Sequence, residues 1–77
     1  MYILQDISIG QTMRDLRKTK KWSQPDVVSK AQLIGSTMSR GTYAKIEAGL
    51  RNIKASDLVI LKRVFDTSYE VLLGDSQ

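Results

Sequence analysis

Five residues, Ser39, Arg40, Gly41, Thr42 and Lys45, fall on the outward side of a short helical pattern. Its inward side is Tyr43, Ile46 and Leu50. The outward types suit a polyanion. An arginine can bond a guanine edge with two parallel hydrogen bonds, and a threonine can touch a thymine methyl or a phosphate. Gln24 stands at the start of another helical pattern, where unpaired backbone N–H groups can meet a phosphate. A polar helix face is also an ordinary solvated surface, so these residues alone leave both readings open.

Composition narrows the chemistry. The chain has 77 residues, which allows one small domain, and contains neither cysteine nor histidine. Disulfides, thiolate metal sites and histidine acid–base catalysis are therefore excluded. Asp57, Asp66 and Glu70 show no paired-carboxylate or metal-loop spacing. No glycine-rich phosphate loop is present. We expect no enzyme, no catalytic or metal-binding residue and no cofactor. The net charge of +4 is uneven: residues 14–54 hold ten basic and three acidic side chains, and the rest carries −3. A basic region of this kind favours a polyanionic partner. The longest strictly apolar run, 58–61, is too short to span a membrane, and residues 1–10 do not resemble a signal peptide. A cytoplasmic location is expected.

The elements that must position those residues are helices. Ser8 with Gln11 reads as a capping box opening a first helix, with Ile9, Met13 and Leu16 on one face. Positive charge at Lys18, Lys20 and Lys21 suits its C-terminal end. Ser23 with Asp26 opens a second, with Pro25 in the first turn and Trp22 and Val27 at the hydrophobic-staple positions. Val27, Val28 and Ala31 form its apolar side. Residues 33–38 read as a loop. Ser39 caps a third helix, and Gly49 closes it. A fourth spans about 56–65, capped at Ala55 or Ser56, with Leu58, Leu61 and Phe65 inward. Thr67 with Glu70 reads as a capping box for a short fifth helix, closed by Gly74. Alternating strand patterns are nowhere sustained, so the fold class is all-α: a compact five-helix bundle. Residues 1–7 form an extension, 8–74 the domain and 75–77 a tail. The second and third helices, joined by a turn, fit a helix-turn-helix, whose second member lies in the major groove of DNA.

The stretch Ile9-Gly10, Leu16-Arg17, Ser23-Gln24, then Thr42 to Gly49 (TYAKIEAG), Arg51-Asn52 and Ser68 to Gly74 (SYEVLLG) resembles the Cro/repressor-type (XRE-type) helix-turn-helix domain. The resemblance covers roughly residues 8–74. It implies a lambda-repressor-like bundle. It also implies that Gln24 bonds DNA phosphate and that Arg17 and Glu47 form an ion pair tying the first helix to the third. Ser39, Arg40, Gly41, Thr42 and Lys45 match the recognition-helix positions. Arg51, Asn52 and Lys54 match a post-helix loop that grips phosphate.

Four features depart from the common pattern. Gln24 and Tyr43 lie nineteen positions apart, as in a subset of the family with an extended turn. Val28 replaces a small alanine, Gly41 removes a side chain from the recognition helix, and Lys62 replaces alanine in the fourth. Other residues have plain structural readings: Tyr43 as core, Trp22 as staple, Gly10 as a helix-start spacer and Lys62 as solvent-reaching. The resemblance implies a sequence-specific DNA-binding transcriptional regulator, repressor-like, that binds near-palindromic double-stranded DNA as a homodimer. Val64, Phe65, Tyr69, Val71 and Leu72 are the expected dimer surface. No small-molecule effector is expected. The alternatives are an antitoxin that represses its own operon, or a protein-interaction module on the same fold.

Overall fold

Local capping sets most of the helix boundaries. In the computed structural model, which describes residues 9–73 and the backbone of residues 2 and 3, α1 spans Ile9–Thr19, α2 Gln24–Leu33, α3 Arg40–Glu47, α4 Ala55–Phe65 and α5 Tyr69–Leu72. The Ser23 hydroxyl accepts from the Asp26 N–H, and the Asp26 carboxylate accepts from the Ser23 N–H. This is the reciprocal box expected from the sequence. Ser39 caps α3 by accepting from the Thr42 N–H. The expected Ser8 cap, Gly74 closure and terminal segments at 1, 4–7 and 75–77 lie outside the described residues.

Two helix starts differ from expectation. Ser68, and not Thr67, caps α5 by accepting from the Val71 N–H. Lys54, and neither Ala55 nor Ser56, occupies the cap position of α4, without a side-chain cap bond.

Four helices end in the same backbone motif. The N–H pairs of Lys21 and Trp22, Gly35 and Ser36, Gly49 and Leu50, and Asp66 and Thr67 bond back to the last carbonyls of α1, α2, α3 and α4. This paired 6→1 and 5→2 closure needs a left-handed residue at its centre. Gly35 and Gly49 supply it with φ of 111° and 76°. Lys21 and Asp66 supply it with φ of 60° and 52°, although they carry a Cβ.

The core draws on every helix. Ile9 and Met13 of α1, Val27, Val28 and Ala31 of α2, Tyr43 and Ile46 of α3, Leu58, Leu61 and Phe65 of α4, and Leu72 of α5 are buried together. Val28 thus takes a core position despite replacing a smaller residue. Met38, between α2 and α3, and Ile53, between α3 and α4, complete the core. Leu50 does not join it. The α3 helix stops at Glu47, and the turn at Gly49 leaves Leu50 78% exposed. A two-residue antiparallel ladder, β1 (Tyr2–Ile3) with β2 (Ile53–Lys54), pairs Tyr2 with Lys54 and Ile3 with Ile53. The all-α reading contained no strand because two residues are too few to print an alternation. Among the described residues no helix is long and apolar enough to cross a membrane.

Candidate nucleic-acid interface

The site is organised by one buried carboxylate. Glu47, in the last turn of α3, is 3% exposed. Arg17 of α1 meets it bidentately: Nε donates to Oε2 at 2.8 Å and Nη2 to Oε1 at 3.1 Å. The remaining Arg17 nitrogen, Nη1, donates to the Trp22 carbonyl at 3.0 Å. Gln24 of α2 donates to Glu47 Oε1 at 3.0 Å, and Arg14 Nε lies 3.7 Å from the same oxygen. A single side chain of α3 is thereby anchored to both preceding helices. Burial pushes the Glu47 carboxyl up, but the hydrogen bonds led by that from Arg17 outweigh it and hold it below its ordinary value. The bond to Glu47 raises the Arg17 guanidinium in turn. Burial, together with the neighbouring Glu47, pushes the Tyr43 phenol well up, so it is neutral. Tyr43 is fully buried, as its spacing predicts.

Backbone contact between α1 and α3 is equally close. A Cβ on Gly10 would overlap the carbonyl oxygens of Ile46 and Glu47. Gly10, read from the sequence as a helix-start spacer, does stand at the start of α1, and it is also the point where α1 lies against the end of α3.

The extended connection between α2 and α3 is held at both sides. Ser36 is buried; its hydroxyl donates to Asp57 of α4 at 3.0 Å and accepts from the Met38 N–H at 3.0 Å. Gln32 of α2 donates to the Met38 carbonyl at 3.0 Å. Asp57, to which the sequence assigned no role, therefore anchors this loop to α4.

With its inner side locked, α3 presents its start outward. Ser39, Arg40, Gly41 and Lys45 are exposed, and Thr42 is half-buried. The Ser39 hydroxyl donates to Thr42 Oγ1 at 3.1 Å, so the cap also fixes the threonine rotamer. Gly41 meets no nearby group other than Ser39 Oγ, and that at 3.9 Å from where a Cβ would stand. Thr42 borders a small cleft of about 80 Å³ whose other walls include Thr37, Arg51, Asn52 and Lys54. The structure thus gathers four of the sequence-derived residues around one depression beside α3. Arg40, Gly41 and Lys45 lie outside that cleft, on the exposed helix surface. Gln24 lies at the Glu47 end of the helix.

Sequence reasoning missed two residues here. Arg14 stands three positions before Arg17, one helical step on the same face, and that spacing could have flagged it. Thr37 lies in an irregular loop, where no periodicity points to it.

A helix-turn-helix family model matches residues 13–72. The chain belongs to the Cro/repressor-type (XRE-type) helix-turn-helix family. It is a DNA-binding transcriptional regulator. The solved restriction-modification controller protein C.AhdI from Aeromonas hydrophila shares its fold. The TM-score is 0.74 at 24% sequence identity, over 86% of this chain and 92% of that one. No curated protein matches the sequence at a significant level. In this helix-turn-helix protein α2 and α3 are the pair that gives the family its name, and the Arg17–Glu47 bond is the pair expected from the resemblance.

Proposed function

We propose that this regulator is a repressor-like, operator-binding homodimer that places α3 in the major groove. The observation that carries the reading is the two-sided character of α3. Its inner side is bonded to α1 and α2 through Glu47, while Arg40, Gly41 and Lys45 stand exposed on its surface. A rigid inner side fixes where the outer side chains reach, which base reading requires. Arg40 is the base-reading residue, Lys45 supports it electrostatically, and Ser39 and Thr42 contact the backbone or a thymine methyl. Gly41 lets the helix approach the duplex closely.

Arg51, Asn52 and Lys54 grip phosphate beside the cleft. One N–H of the Gln24 amide is given to Glu47, and the second remains for a phosphate oxygen. Affinity is mainly electrostatic and specificity comes from few contacts.

The dimer surface differs from that read from the sequence. Phe65 and Leu72 are buried in the monomer core and cannot supply it. The apolar side chains exposed on α4 and α5 are Val59, Tyr69 and Val71, and these are the proposed contact. The protein works in the cytoplasm, as a binding protein and not an enzyme.

Selection of sites from random duplex DNA tests the reading. A near-palindromic motif with half-sites about one helical turn, ~34 Å, apart supports it. Enrichment of no motif, or of a single half-site bound by one protomer, overturns the operator-binding dimer.

A further inference from the structure

We infer that the protein carries a second interaction surface, a groove between α2 and α4 that receives an acidic peptide segment with apolar anchors from a partner protein. The groove has a volume of roughly 380 Å³ and is lined by Trp22, Lys30, Leu33, Ile34, Arg63 and Val64. No residue of α3 or of the loop after it contributes, so it is separate from the DNA-reading surface.

Its apolar part is not explained by the core. Leu33 is 85% exposed and Ile34 40% exposed, although both end a helix whose inner face is fully packed. Beside them Trp22 is half-buried, its ring stacked on the buried Phe65 at 6.2 Å between centroids. That stack makes the floor rigid. Rigid aromatic floors flanked by aliphatic side chains are where binding energy concentrates in protein interfaces.

Its charge is of one sign. Lys30 Nζ lies 4.7 Å and Lys20 Nζ 5.3 Å from the centre of the Trp22 ring, and Arg63 forms part of the wall. Among the described residues no carboxylate lines the groove. The nearest acid on α2, Asp26, one turn before Lys30, bonds the Ser23 N–H in the cap and feels the Lys30 charge, but it does not line the groove. Two cations on the wall, Lys30 and Arg63, with Lys20 at the Trp22 ring beside them, complement a segment that alternates carboxylates with large apolar side chains. Such a segment would bury Leu33 and Ile34 and set its carboxylates against Lys30 and Arg63.

Trp22 is the single tryptophan, so its fluorescence reports on the groove directly. The test is a display selection of random twelve-residue peptides against the full chain, followed by titration of the selected peptides under Trp22 fluorescence. We expect enriched peptides that combine Asp or Glu with Leu or Phe and shift the emission. Leu33→Asp, at a side chain almost wholly in solvent, should weaken them about tenfold or more, and Lys30→Gln should weaken them less. Both variants should stay folded at the temperature of the titration, with a Tm loss of at most a few degrees, and keep wild-type DNA affinity.

Selection of no acidic-apolar sequence, or peptides that bind Leu33→Asp as well as wild type, overturns the inference. An emission shift on dilution without peptide, abolished by Leu33→Asp, would assign the groove to a second copy of the chain instead. A Leu33-dependent shift with phosphatidylglycerol vesicles, equal to that with peptide, would assign it to a lipid surface.

Discussion

Arg17 and Glu47 form a two-point ion pair across thirty residues of chain, with Nε–Oε2 at 2.8 Å and Nη2–Oε1 at 3.1 Å. Arg17 keeps 13% of its side-chain exposure and Glu47 none. The net energy of the intact pair matters less than the cost of losing one member. Removing Arg17 strands a buried carboxylate, and such changes cost about 3–5 kcal/mol in buried pairs. Arg14 and Gln24 remain near Glu47, so Arg17→Met should fall at the low end, about 3 kcal/mol. Glu47→Gln in the same background should recover part of the loss, because no charge is then stranded. Urea denaturation of the two single variants and the double variant measures this. Strictly additive losses would show that the two residues act independently.

The same pair sets an acid limit on stability. Glu47 titrates below its ordinary value of 4.5 in the folded protein. A carboxyl depressed by folding stabilises the protein fully above its unfolded value. That contribution fades as pH falls through the folded value. Asp26, lowered by its bond to the Ser23 backbone, acts with the same sign. Melting temperature should therefore hold from neutral pH down to about pH 5 and then drop. Glu47→Gln should start lower and show a shallower acid decline. An equally steep decline in that variant would move the effect to other carboxylates.

Gly10 makes a second, purely steric prediction. A Cβ there meets backbone oxygens of Ile46 and Glu47, and backbone cannot rotate aside as a side chain can. Gly10→Ala gains helix propensity but must push α1 away from α3. Overpacking of this kind costs about 1–3 kcal/mol, which in a domain of this size lowers Tm by roughly 10 °C. Because α3 shifts with it, DNA affinity should fall at a temperature where the variant is still folded. A Tm at or above wild type would mean that α1 slides without cost.

The parts of this structure legible in the sequence are the local ones. Ser23 and Asp26 announce their reciprocal cap because every participant lies within four residues. Gly49 announces the end of α3 because its left-handed turn favours glycine. Reading fails where one element's ending determines the next one's start. Thr67 has the spacing of a capping box, but its N–H, which Glu70 would have to meet, is already bonded to the Lys62 carbonyl in the closure of α4, and the Ser68 hydroxyl takes the Val71 N–H. Leu50 has core spacing relative to Tyr43 and Ile46 but comes after the turn, which sends it outward. The Ser36–Asp57 bond joins residues twenty-one positions apart and has no periodic signature. For the site, the exposed face of α3 was legible in the helical spacing, and the Arg17–Glu47 pair came only through the family resemblance. The packing that buries Phe65 and Leu72 was not, because helical spacing does not say which apolar face meets another helix.

Lys21 shows the reverse failure, a turn without its expected residue. Its φ of 60° places it at the left-handed centre of the α1 closure, where Gly49 stands in α3. A side chain there carries a cost of about 1–2 kcal/mol, partly offset by the lower chain entropy of a non-glycine residue when unfolded. Lys21→Gly should therefore raise stability by about 0.5–1 kcal/mol, seen as an increase of a few degrees in Tm. A lower Tm would indicate that the lysine stem packs on its neighbours and contributes more than the backbone strain removes.

Arg40 and Arg51 separate base reading from phosphate gripping. Both are exposed, Arg40 at the start of α3 and Arg51 on the wall of the cleft after it. If Arg40 bonds a guanine edge, Arg40→Ala should cost about 1–3 kcal/mol on the best site and little on unrelated DNA, relaxing preference at one base position. If Arg51 bonds phosphate, Arg51→Ala should weaken all sequences alike and reduce the slope of log affinity against log salt by about one. Titrations of both variants on the selected site and on random DNA, at several salt concentrations, give all four quantities. A sequence-independent loss in Arg40→Ala would make it a phosphate contact and move base reading to Lys45. An unchanged salt slope in Arg51→Ala would place that guanidinium off the duplex and leave the cleft as part of the scaffold.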